Sequence, residues 1–99
     1  MINHIVLFKL KENVTEEQLN DCLNAIIGLK EKISGILEVS GGYDNSPEHK
    51  NNGYTWGFQV KFDSAESRDK YVPHSEHKQV IEKYIAPIVE DVLVFNYTI

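Results

Sequence analysis

The sequence predicts an α+β domain with the element order β-α-β-β-α-β, the split arrangement of ferredoxin-like domains. Three observations carry this. The stretch "YTWGFQVKF" (54–62) alternates strictly, with Tyr54, Trp56, Phe58, Val60 and Phe62 on one side and Thr55, Gly57, Gln59 and Lys61 on the other, the period of a strand with one buried face. Leu19, Cys22, Leu23, Ile26, Ile27 and Ile33 fall close to helical spacing, as do Val80, Ile81, Tyr84 and Ile85, so each set forms one apolar stripe. The opening and closing segments are apolar on both faces, as strands covered from two sides are.

The elements follow in order. Along the first strand Ile2, His4, Val6, Phe8 and Leu10 share one face, while Ile5 and Leu7 make the middle of the other apolar. Thr15 is placed to cap the first helix, and Gln18, three residues later, completes a capping box. "SG" at 34–35 ends that helical segment, and "ILEVSGGYD" reads as a strand loosened by its glycine pair. A polar loop, "NSPEHKNNG", leads to the alternating strand. "DSAESRDKYV" is a short helix stopped by Pro73, because the residue before a proline avoids the helical region. Ser75 is placed to cap a second helical segment, limited by Pro87, and "EDVLVFNYTI" is the final strand, with Val92 and Val94 on one face and Leu93, Phe95 and Tyr97 on the other.

With 99 residues, 41% of them hydrophobic, the chain is expected to be one domain spanning 1–99. The helical regions can cover only one face of the sheet, yet the first and last strands are apolar on both. An identical chain packed sheet to sheet is the simplest cover, so a homodimer is expected. Fifteen acids against ten bases give a formal charge of −5, and the basic residues are scattered, which argues against nucleic-acid or anionic-membrane partners. The apolar run near the start has only four residues, far short of the roughly 18 a membrane span requires. Cys22 is the only cysteine and sits among apolar helix positions, so no internal disulfide forms, and a cytoplasmic setting is expected.

The chemistry concentrates in "YVPHSEHKQV" (71–80). An interrupted helix leaves a gap between itself and the sheet, and Tyr71 and His77 are placed to line it, with His4 on the sheet below. In that arrangement His77 is the base and Tyr71 the donor or orienter. Val6, Phe8, Trp56 and Phe58 would supply apolar walls, although the same residues serve equally as core. His74 and His77 form an H-x-x-H pair, a weak metal signal without a third and fourth ligand; no metal and no cofactor are expected. His49 lies in a polar loop and is expected to face solvent. There is no glycine-rich phosphate loop, C-x-x-C pair or G-x-S-x-G elbow.

The opening "INHIVLFKLKENVTEEQ", the central "GYTWGFQVKFDSAESRDKYVPHSEHKQV" and the closing "VLVFNYT" resemble the stress-responsive α/β-barrel (Dabb) domain over nearly the whole chain. The resemblance implies a ferredoxin-like monomer that pairs through its sheets into a dimeric α+β barrel. It also implies a pocket between sheet and helices. In a plant polyketide cyclase branch a histidine and a tyrosine in that pocket promote an aldol closure, and the motif carries that pair onto His77 and Tyr71, with His4 as a pocket histidine. Trp56 and Asn96 stand where that branch has a histidine and an aspartate, which changes the polar lining. The expected function is binding of a small hydrophobic ligand, with His-dependent proton transfer. The alternatives are a non-catalytic, stress-associated structural dimer and a cofactor-independent monooxygenase-like enzyme on the same dimeric barrel.

Overall fold

The computed structural model describes residues 1–99, arranged as β1 (Ile2–Leu10), α1 (Glu16–Gly28), β2 (Ile36–Tyr43), β3 (Tyr54–Phe62), α2 (Ala65–Tyr71), α3 (Ser75–Val80) and β4 (Val89–Thr98). The four strands form one sheet in the order β2-β3-β1-β4. Every neighbouring pair is antiparallel, which gives the ferredoxin-like α+β fold. β1 is central, and its register fixes one face of the sheet: His4 lies opposite Val60 and Asn96, Val6 opposite Phe58 and Val94, and Phe8 opposite Trp56 and Val92.

That face carries the core. Phe8, Val60 and Phe62 pack beneath Leu19, Cys22, Ile26 and Leu29, all buried. Each such side chain contributes roughly 1.5–3 kcal/mol of transfer free energy. The capping box at α1 is complete: the Gln18 backbone N–H donates to Thr15 Oγ1 at 3.1 Å, and the Thr15 N–H donates to the Gln18 side chain at 2.9 Å. Burial raises the Cys22 thiol to about 11, so at neutral pH it is an uncharged filler.

Three local features differ from the sequence expectations. α1 closes at Gly28 and tightens into a 3₁₀ turn at Leu29–Glu31 before the bend at Gly35. The last turn after α3 widens into a π turn, Ile81–Ile85, whose ring is closed by the Ala86 N–H donating to the Ile81 carbonyl at 2.8 Å. His74, rather than Ser75, caps α3: it keeps extended backbone after Pro73, and its Nδ1 accepts from the Glu76 N–H at 3.1 Å.

The helices leave β4 bare. Val92 and Val94 lie on the helix side of the sheet, and both remain exposed. On the opposite side Leu93, Phe95 and Tyr97 are 43%, 59% and 45% exposed, next to Ile5 and Leu7 of β1. A strand apolar on both faces is thus half covered on neither, as expected of a sheet that has a second surface to bury. No helix is long and apolar enough to cross a membrane.

Candidate functional site

The break between α2 and α3 is the feature that makes room. Val72 keeps helical dihedrals (φ −54, ψ −49) although it precedes Pro73, contrary to the sequence expectation; the helix is broken instead at His74, whose extended backbone (φ −62, ψ 136) separates α3 from α2. Between this region and the sheet lies a cavity of about 280 Å³. Val6, Phe8 and Phe58 form its floor, Val92 and Val94 close one side, and Val72, Ile81 and Ile85 form the roof. The π turn supplies two of those roof residues, a placement in keeping with the frequent occurrence of π turns at functional sites. The rim residues Val72, Ile81, Val92 and Val94 are exposed, so the mouth is itself apolar. Only two lining residues are polar, His4 from the floor and His77 from the roof.

Each imidazole is held by a hydrogen bond at Nδ1. His77 Nδ1 lies 3.0 Å from the carbonyl oxygen of Val72; a carbonyl only accepts, so Nδ1 carries the proton and Nε2 is left with the lone pair. Burial lowers the His77 pKa from its ordinary value, opposed by its backbone hydrogen bonds at Val72 and Tyr71 and reinforced by His74. His77 is therefore neutral near pH 7 and able to accept a proton at Nε2.

Tyr71 sits behind this pair. Its ring stacks on His77 with centroids 4.0 Å apart, and meets His4 edge-on at 5.9 Å and Phe62 at 5.0 Å. The ring is 1% exposed, and burial pushes its hydroxyl well above the ordinary tyrosine range, so it remains an uncharged phenol with a proton to donate. Tyr71 thus joins the two histidines in one aromatic column, though it is not itself among the residues lining the cavity.

The structure places His4, His77, Val6, Phe8 and Phe58 around one cavity; Tyr71, expected to line it beside His77, instead stacks behind that ring because its side chain is buried against Phe62 and His4. The structure also places Trp56 elsewhere. The indole stacks on Phe8, centroids 5.5 Å apart, as a buried core residue outside the lining, because it lies one pleat beyond Phe58 along β3, toward the Tyr54 end of the strand. Asn96 is also outside the lining; it touches the site through His4. Val72, Ile81, Ile85, Val92 and Val94 were not singled out from the sequence. The alternation of the last strand already put Val92 and Val94 on His4's side, which is the signal that could have found them.

A second, broader depression of about 640 Å³ lies on the other side of the sheet under the 44–53 loop. It holds no histidine, and its rim is polar, with Asp44, Ser46, Glu48 and Lys50.

The family model for the stress responsive A/B barrel domain, Dabb, matches residues 2–99. The chain belongs to the Dabb family. This Dabb domain is 29% identical over 97 residues to olivetolic acid cyclase of Cannabis sativa, covering 98% of this chain and 95% of the relative. It is 26% identical over 96 residues to a stress-response A/B barrel domain-containing protein of Arabidopsis thaliana, covering 97% and 87%. Among solved structures, a crystal structure of an Arabidopsis thaliana protein superposes with a TM-score of 0.91 at 25% identity, covering 100% of this chain and 95% of that one. A dimeric ferredoxin-like protein from Jannaschia superposes with a TM-score of 0.84 at 20% identity, covering 99% and 98%, a likeness of fold.

Proposed function

We propose that this Dabb domain works as a homodimer, joined through the outer face of its sheet, and binds a small hydrophobic molecule in the cavity between sheet and helices. His77 acts there as a proton acceptor and Tyr71 holds its ring. The observation that carries the reading is the His77 geometry: an imidazole whose Nδ1–H is tied to Val72, bordering an otherwise apolar cavity of about 280 Å³. A cavity of that size suits a ligand of a dozen or so heavy atoms, and its apolar walls favour a hydrocarbon body. The kinship with a protein named olivetolic acid cyclase supports a reaction begun by removing a proton next to a carbonyl. The exposed apolar strip Leu93, Phe95 and Tyr97 supports the dimer, as do the relatives described as dimeric.

Native mass spectrometry of the purified protein, followed by the same measurement on His77→Ala, tests this. A dimer carrying added organic mass on each chain is the expected result. Wild type and His77→Ala should both retain the ligand, and only wild type should catalyse proton exchange on a bound ketone, read as deuterium uptake next to its carbonyl. A dimer with no ligand and no exchange would favour the non-catalytic structural reading, and a monomer would overturn the assembly.

A further inference from the structure

His4 is tied into a chain of three side chains. Arg68, on α2, donates from Nη1 to Asn96 Oδ1 at 3.2 Å, and the same oxygen lies 3.0 Å from His4 Nδ1. Guanidinium is donor-only, so it fixes the Asn96 amide with its oxygen toward Arg68. An oxygen so placed accepts from its second neighbour too, which puts the proton of neutral His4 on Nδ1. The opposite arrangement would set the Asn96 NH₂ against the Arg68 N–H. His4 Nε2 therefore carries the lone pair, as His77 Nε2 does. Neither nitrogen has a partner in the protein, and neither is sealed off, since the only enclosed side-chain polar atom without a partner is Asn3 Oδ1.

The groups around His4 agree with a neutral ring. Asn96 from β4, Arg68 and Tyr71 from α2, His77 from α3 and Phe62 from β3 surround it, and no carboxylate is among them. Burial lowers its pKa, the Asn96 bond opposes this, and the charges of His77 and Arg68 add to the lowering. The one nearby permanent cation, Arg68, is spent on Asn96 and on Asp69, to which its Nε donates at 2.8 Å.

We propose that Arg68 and Asn96 are positioning residues that lock His4 as the Nδ1–H tautomer, so that the cavity presents two imidazole acceptors and takes neutral, hydroxyl-bearing hydrocarbons in preference to carboxylates. The selectivity rests on the ligand-binding reading above; the tautomer lock does not. A hydroxyl donates to either Nε2. A carboxylate would meet two lone pairs and no lysine or arginine on the lining, and would lose its hydration without replacement.

Long-range ¹H–¹⁵N correlation spectra of the histidine rings read the tautomer directly. Wild-type His4 should show protonated Nδ1 and bare Nε2 at neutral pH; Arg68→Met should give a tautomer mixture, and Arg68→Lys should restore the single form. Asn96→Asp should turn His4 into the imidazolium at a pH where wild type is neutral. Titration calorimetry with 4-butylphenol and 4-butylbenzoate then reads the selectivity: the phenol should bind at least about tenfold tighter, and Asn96→Asp should erase that margin. A wild-type Nε2–H tautomer, or unchanged spectra in Arg68→Met, would overturn the lock. Equal binding of the two probes would overturn the selectivity. A correct tautomer with neither probe bound would uphold the positioning role and refute both the selectivity and the ligand-binding reading.

Discussion

The Tyr71 and His77 rings stack with centroids 4.0 Å apart and 28° between their planes, six residues apart in sequence and on two different helices. The break at His74 makes this contact possible, since in a continuous helix residues six apart do not share a face. The stack holds the His77 ring by its face while Val72 holds it by its edge.

The phenol ring and the phenol hydroxyl of Tyr71 therefore have separable roles. Tyr71→Phe keeps the stack and should change stability by less than about 1 kcal/mol, while Tyr71→Ala empties a fully buried site and should cost about 3–5 kcal/mol. Urea denaturation measures both. A large loss in Tyr71→Phe would mean that the hydroxyl is structural.

Stability should fall on mild acidification. The unfolded chain protonates His4 and His77 near their ordinary value of 6.5, whereas the folded protein holds both lower. Their contribution is fully present above pH 6.5 and is lost as pH falls through that value toward the folded ones, because the unfolded state then binds more protons. Asp44, Asp63 and Asp91 are also held low, but they act below their ordinary 3.8 and leave the window above it to the histidines. Thermal melts across this range should show a falling Tm, and His4→Gln should flatten the slope; a flat wild-type profile would contradict the burial of both rings.

Phe95 is the most exposed apolar residue of the final strand, at 59%. Phe95→Glu should weaken the dimer by about 2 kcal/mol or more if this face is its centre. Sedimentation velocity at micromolar concentration should then find monomers where wild type is dimeric, and an unaltered dimer would place the interface elsewhere.

Gly35 is needed for its backbone. It sits at φ +94, and a Cβ there would collide with the Ser67 side chain that joins the cap of α2. Gly35→Ala should destabilise by more than about 1 kcal/mol, read as a lower urea midpoint. An unshifted midpoint would show that β2 and α2 can separate without cost.

The sequence by itself determined the fold and named five of the ten residues that line the cavity. Period-two alternation in 54–62 and the two-sided apolar pattern of the first and last strands fix which residues point toward the helices, since a strand register slip would turn every side chain to the wrong face. Thr15 with Gln18, and Pro73 with Pro87, mark helix ends through bonds and clashes local to a few residues. His4, Val6, Phe8 and Phe58 could be grouped for the same reason, and His77 and Tyr71 through the helix break.

Only the tertiary structure decided where Trp56 goes, which nitrogen of each histidine is free, and that Arg68 reaches Asn96. Alternation assigns a face but not a position along it, so Trp56 and Phe58 look equivalent in sequence although a single pleat separates core from cavity. The His77 tautomer depends on a carbonyl that the helix break turns toward it, while Asn96 and Arg68, which act on His4, lie 92 and 64 residues away along the chain, on β4 and α2. Such contacts are set by the packing of whole elements, which no local pattern of residues records.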